Sequence, residues 1–138
     1  MNKYEYAAEL HSRGCNCAQS VACAFAKEIG MDEATVMKLA EGFGLGCGGT
    51  KSMCGALSGA IMVAGAVTAD GNIEAPKTKQ TTYAIAKQLC DVFEKECGSL
   101  LCCELKGIEN GKVLTPCPKC IDFGVRLCEE VLGGKYNA

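Results

Sequence analysis

At 138 residues the chain has the length of one domain, able to bury most of its apolar surface around a single core without disulfide staples. Fourteen Lys and Arg against sixteen Asp and Glu leave a net charge of -2 with no basic block, so nucleic acid is not an expected partner. Twelve cysteines are the departure from an ordinary composition. The opening residues MNKYEYAAELHSR mix charges with apolar side chains and lack the apolar core and cleavage site of a secretory signal, so a reducing cytoplasm is the expected compartment. Cysteine at this density would mean a disulfide framework in a secreted protein, whereas inside a cell it points to metal or redox chemistry.

Tyr6, Leu10 and neighbouring alanines predict a short amphipathic helix over 2–13, stopped by Gly14. Asn16 reads as the N-cap of a second helix over 17–29, with Val21, Ala24, Phe25 and Ile29 at helical spacing and Gly30 as its end. Asp32 caps a third, running to about residue 41 with Ala34, Met37 and Leu39 on its apolar side, and Gly42 breaks it.

The stretch 42–69 opens as a glycine-rich turn, GFGLGCGGT, and closes as an uncharged small-residue helix expected over 52–69. Those eighteen residues barely reach the length of a membrane span, and their glycines and alanines are only moderately apolar. A central buried helix is therefore the expectation, with Gly55, Gly59, Ala60 and Ala64 admitting close neighbours. Cys54 falls at the join, in the expected first turn, where unpaired N–H groups and the helix dipole lower a thiol pKa.

Gly71, Asn72 and Pro76 mark a loop before a long helix over 79–96. Tyr83, Ala86, Leu89, Cys90, Phe93 and Cys97 line one side of it, so Cys90 and Cys97 read as core. An irregular stretch over 98–115 holds one helical turn at 102–106 and a turn at Asn110-Gly111. Pro118 introduces a last helix to about residue 132, ended by Gly133-Gly134, with Ile121, Val125, Cys128 and Leu132 inward. No segment alternates as a half-buried strand does, which predicts an all-α, single-domain bundle of about six helices around the central small-residue helix.

With Cys23, Cys90, Cys97 and Cys128 assigned to core faces, the cysteines left for chemistry are Cys15, Cys17, Cys47, Cys54, Cys102, Cys103, Cys117 and Cys120. Each lies in a loop or at a predicted helix start, where backbone N–H groups stabilise a thiolate. Four thiolates from four segments make the ligand count of an iron-sulfur cluster or a tetrahedral zinc site. Cys117-Pro-Lys-Cys120 can chelate one metal or close a reducible disulfide, whereas the adjacent side chains of Cys102 and Cys103 diverge, so one serves and the other packs. The run from Gly44 to Ser52 misses the phosphate-loop pattern, because Thr50 separates the last glycine from Lys51 and a helix precedes it. It reads instead as a backbone turn beside the site, through Gly46, Gly48, Gly49 and Gly55, that either presents N–H groups to sulfur or merely redirects the chain. His11, the only histidine, sits on a polar helix face as a solvated residue, and the carboxylates Glu41, Glu104 and Glu109 show no pairing for acid-base work.

Asn16-Cys17-Ala18-Gln19, Gly42-Phe43-Gly44, Cys54-Gly55-Ala56-Leu57-Ser58-Gly59, Gly98-Ser99 through Cys102 with Glu104-Leu105, and the Cys117 segment together resemble, over the full length, the redox-active protein family named C_GCAxxG_C_C. The resemblance places the family's four cysteines on Cys17, Cys54, Cys102 and Cys117, and implies redox chemistry with an iron-sulfur cluster. Cys15, Cys103 and Cys120 stand beside three of these and Cys47 near the fourth, and Cys120 either replaces Cys117 or joins it. The first expectation is a cytoplasmic helical electron carrier that holds such a cluster and serves a redox partner the sequence does not name. The alternatives are a thiol-disulfide enzyme or sensor using Cys117 with Cys120, or Cys54 with a partner thiol, and a zinc-holding module without turnover. Thiols gathered at one end of a bundle also admit completion of the site by a second subunit in a homodimer.

Overall fold

The computed structural model describes residues 1–136. Among these the chain forms seven helices: α1 (Lys3–Ser12), α2 (Cys17–Ala24), α3 (Glu33–Ala40), α4 (Gly55–Thr68), α5 (Lys79–Cys97), α6 (Cys102–Lys106) and α7 (Cys117–Leu132). The capping signals act where the sequence puts them. Asn2 and Asn16 each accept from the third helical N–H while Glu5 and Gln19 reach back, and Asp32 accepts from Thr35 N–H. Such caps contribute about 1 kcal/mol each.

α4 is the centre. Residues 55–60, Val63 and Ala64 are buried on it, and it packs against α2, α7 and α5. Small side chains make that possible. A Cβ on Gly59 would lie 2.8 Å from the Ala18 carbonyl oxygen, and one on Gly124 of α7 would lie 2.9 Å from that of Ala56 and from a Val21 methyl. Backbones this close leave room only for hydrogen. Around them Phe25, Leu57, Leu89, Phe93, Ile121 and Leu127 fill the main core, with the Phe93 and Phe123 rings 5.8 Å apart. A smaller cluster of Leu10, Ala22, Cys23, Ala26 and Val36 joins α1, α2 and α3. No helix is long and apolar enough to cross a membrane among the described residues.

Two helix boundaries and the inner faces of two helices differ from the sequence reading. α2 stops at Ala24 rather than near residue 29, because the chain tightens into successive turns from Phe25 onward, with Phe25 N–H bonded to Ala22 and Met31 N–H closing back on Ala26. α4 begins at Gly55 rather than residue 52, since Met53 is drawn into an isolated antiparallel bridge with Leu101. Cys54 is consequently the N-cap and not a first-turn residue. On α5 the inward position is Ile85, while Tyr83 is 60 % exposed, and on α3 Leu39 points outward with Val36 and Ala40 inward. The segment Gly44–Cys47 is a turn with Leu45, Gly46 and Cys47 in the left-handed region, at φ 53°, 57° and 58°.

The close contact at Gly124 is testable by volume. Gly124→Val should lower stability in urea unfolding by about 1–3 kcal/mol, the usual cost of overpacking. Gly42→Ala, whose new Cβ meets nothing within 4 Å, should stay within about 0.5 kcal/mol of the parent; equal losses would contradict the packing described.

Candidate functional site

One cavity of about 180 Å³ gathers cysteines from four separate segments. Cys17 is the first residue of α2, Cys54 the N-cap of α4, Cys102 the first residue of α6 and Cys117 the first residue of α7, and Cys120 joins them one turn into α7. His11, Asn16, Lys106 and Thr115 complete the polar part of the wall.

Backbone contacts hold these helix starts together. At the Met53–Leu101 bridge the Cys54 N–H donates to the Leu100 carbonyl at 2.7 Å and the Cys102 N–H to that of Ser52 at 3.0 Å, tying the beginning of α4 to the beginning of α6. Cys103 N–H donates to Thr50 at 2.7 Å on the same seam. The turn leading in is set by Ser99, whose hydroxyl donates to the Glu104 carboxylate and accepts from Leu101 N–H. Gly46 must be glycine for want of space: its flanking residues Leu45 and Cys47 share its left-handed backbone, but a Cβ on Gly46 would strike the Cys102 Cβ at 2.6 Å. Gly55 lets α2 and α4 meet beside the cavity, its absent Cβ falling 3.0 Å from Ala18 N and 3.4 Å from the Cys17 Cβ.

The glycine turn spends several of its N–H groups on itself: Gly48 donates to Gly44, Thr50 to Leu45 and Ser52 to Gly46. The Ala56 and Leu57 N–H groups, in the first turn of α4, lower the Cys54 pKa without a side-chain cap hydrogen bond to its sulfur. This is the anion-favouring geometry of a helix start.

The sulfurs interact in two sets. Interaction with the Cys17 thiol, followed by the Lys106 ammonium 3.5 Å from its sulfur, lowers the Cys117 pKa to about 5 against the opposing effect of burial. Cys17 is pushed up by the same interaction and by burial. The charge on Cys117 raises Lys106 in return. In the second set interaction with Cys54 and Cys97 raises the pKa of Cys120 and lowers both of theirs, while the Cys120 thiol donates to the Thr115 carbonyl at 3.6 Å. Cys102 is pushed up by burial. The arrangement therefore supports anionic sulfur at Cys117 and Cys54 with one nearby ammonium to offset it.

The other cysteines lie elsewhere. Cys15 packs its sulfur 3.9 Å from Met37 Sδ, Cys47 is exposed on the turn, and Cys103 faces a neighbouring hollow with Glu104 and Glu109. Cys23, Cys90 and Cys128 are packing residues whose thiols burial pushes up, Cys23 to about 11. Three participants escaped the sequence reading. Cys97 shares a helix face with core residues yet ends α5, and Cys120 lowers its pKa. Lys106 carried one signal, its position four residues after Cys102 on the same helical side. His11, read as solvated, lines the cavity.

Five cysteines, four of them at or next to a helix N-terminus, suit a group ligated by thiolates. Among the described residues no three His, Cys, Asp or Glu side chains converge closely enough to share a single ion.

The titration of Cys117 can be read by alkylation with iodoacetamide in metal-free protein followed by peptide mass mapping. The reaction should be near its plateau at pH 7 and fall about tenfold per pH unit below 5, following the thiolate fraction, and Lys106→Met should move the midpoint upward. A midpoint in the range of an ordinary thiol would contradict the site geometry.

A family model described as putative redox-active protein (C_GCAxxG_C_C) matches residues 15–131. No curated protein and no solved structure matches the chain. The matched span runs from just before α2 to the penultimate residue of α7 and holds every cysteine of the cavity. The chain belongs to the C_GCAxxG_C_C family of redox-active proteins.

Proposed function

We propose that this protein is an electron carrier in which Cys17, Cys54, Cys102 and Cys117 hold an iron-sulfur cluster, with Cys120 as an adjacent thiol. The observation that carries the reading is the ring of five cysteines around one cavity of about 180 Å³. A lone zinc requires its sulfurs drawn to about 2.3 Å of one point, whereas a cluster is held by thiolates that stand apart around an inorganic core. Sulfurs that line an opening without converging on a single ion favour the second.

Bound there, the cluster would supply one-electron chemistry. The protein's own contribution is to set the surroundings. The Ala56 and Leu57 N–H groups favour the Cys54 thiolate, Lys106 offsets the charge on Cys117, and Cys54, Cys102 and Cys120 are buried, which keeps water from three of the sulfurs. Hydrogen bonding to sulfur, local charge and solvent exclusion are the principal levers on a thiolate-held redox centre.

A second reading rests on Cys17 and Cys117 lining the same cavity, with the Lys106 ammonium 3.5 Å from the Cys117 sulfur and both neighbours lowering its pKa. A thiolate at neutral pH beside a protonated thiol is poised for disulfide formation, so a metal-free protein would cycle this pair between dithiol and disulfide.

Anaerobic purification with iron and labile-sulfide analysis and a visible spectrum separates the two. Iron with sulfide in a brown protein is expected, and Cys54→Ser should lower the iron content at least tenfold, the scale on which ligand environments control affinity. Cys90→Ser should keep the iron and cost only about 1 kcal/mol of stability. Colourless protein that loses two thiols as a Cys17–Cys117 disulfide would favour the second reading, and equal iron loss in the Cys54 and Cys90 variants would overturn the first.

A further inference from the structure

Leu45 breaks two local rules at once. Its backbone sits at φ 53°, ψ 41°, in the left-handed region that crowds a side chain against its own carbonyl. It is also 49 % exposed, although apolar. An exposed leucine alone is ordinary on a protein surface. Here glycines stand at 42, 44, 46, 48 and 49, and glycine would hold the same turn without steric cost, yet position 45 carries a full leucine side chain. Cys47 and Thr50 share the left-handed region on this turn, but neither lines the cysteine cavity, whereas Leu45 does.

Its place there is fixed from both sides. Gly44 abuts the Asn16 side chain, where a Cβ would fall 2.3 Å from the Asn16 Cγ, and Gly46 abuts Cys102, where a Cβ would fall 2.6 Å from the Cys102 Cβ. Asn16 and Cys102 are themselves parts of the cavity wall, at the starts of α2 and α6. The Asn16 amide donates to the Glu41 carbonyl at 2.8 Å, and the Gly48 and Thr50 N–H groups close on the Gly44 and Leu45 carbonyls at 2.9 and 2.8 Å. The turn is thereby locked between the two helix starts with Leu45 at its middle. Of the two leucines in the wall, Leu105 is buried and Leu45 is the one that meets solvent. Backbone strain held in place beside a reactive cavity points to a task for the strained residue.

We propose that Leu45 determines which reactants enter the cysteine cavity: its side chain narrows the mouth between Asn16 and Cys102, admitting small molecules to the half-buried thiols of Cys17 and Cys117 and turning away bulky ones. The class admitted is a reactant of a few atoms, such as a peroxide; a peptide-sized disulfide and a multidentate iron chelator are excluded. The role concerns access and not the group within, so it applies to both functions proposed above. It shields a cluster from competing ligands, and it filters the oxidants that meet a Cys17–Cys117 thiol pair. An apolar side chain at the mouth also limits water inside, which strengthens the electrostatic effects on the sulfurs.

The test uses the full chain, as purified anaerobically and after metal removal, with a pair of reagents that share one electrophile and differ in bulk, N-ethylmaleimide and N-pyrenylmaleimide. Rates at each cysteine are read by peptide mass mapping, with exposed Cys47 as the ungated reference. In the metal-free parent the pyrenyl reagent should lag behind N-ethylmaleimide severalfold further at Cys117 than at Cys47. Leu45→Gly should abolish that lag without lowering the urea midpoint, because the backbone strain goes with the side chain. Leu45→Met, which keeps the bulk, should preserve the lag. Equal discrimination at Cys117 and Cys47 in the parent, or a lag that survives in Leu45→Gly, would overturn the proposal. The parent comparison needs no variant, so a poorly folded Leu45→Gly does not blunt the test. In the chain as purified, iron should pass to bathophenanthroline disulfonate severalfold faster from Leu45→Gly than from the parent. The lag in a chain purified without iron would leave this proposal standing and the cluster reading fallen; iron without the lag would do the reverse.

Discussion

Two backbone hydrogen bonds across the Met53–Leu101 bridge, from Cys54 N–H to Leu100 and from Cys102 N–H to Ser52, set the geometry on which the cavity depends. They join the entrance of the central helix to the entrance of a five-residue helix far along the chain. Without the clip α6 has too few residues to hold its own position, since an isolated turn of helix is unstable in water. With it Cys54 and Cys102 are placed by backbone, whose hydrogen bonds are directional, and not by side chains that rotate.

The remaining cysteines arrive by packing. Gly55, Gly59 and Gly124 let α2, α4 and α7 meet at backbone distance, which brings the first residue of α2 and the first turn of α7 to the same end as Cys54. That end collects helix N-termini, and with them a positive dipole field, just where anionic sulfur is supported. The small-residue composition of α4 and the chemistry at its tip are therefore one design feature: a bulkier central helix would push apart the very starts whose thiols must converge. Polar demands inside are met, since no buried side-chain nitrogen or oxygen lacks a hydrogen-bond partner among the described residues.

Much of this was legible in the residues. Asn16 and Asp32 announce their helices by capping chemistry, the uncharged run after Cys54 announces a buried centre, and the C_GCAxxG_C_C pattern announces the family whose model matches residues 15–131. The Met53–Leu101 bridge was not legible, because a single pairing between distant segments leaves no periodic trace. α2 ends early at Phe25 with neither glycine nor proline to signal it. Cys97 was hidden by its own helical spacing, which puts it on the core face; only its place as the last residue of α5, where the chain turns toward Ser99 and the clip, brings it within the electrostatic influence of Cys120. Periodicity reports which side of a helix is inward, and it is silent about which buried side chain meets which at a helix end.

The central claim is convergence of the cysteines on one redox centre. A crystal structure of anaerobically purified protein, with anomalous differences collected at the iron edge, tests it most directly. The account predicts an iron peak inside the cavity bounded by Cys17, Cys54, Cys102 and Cys117. Iron bound elsewhere, or these sulfurs found on separate faces of the molecule, would contradict it.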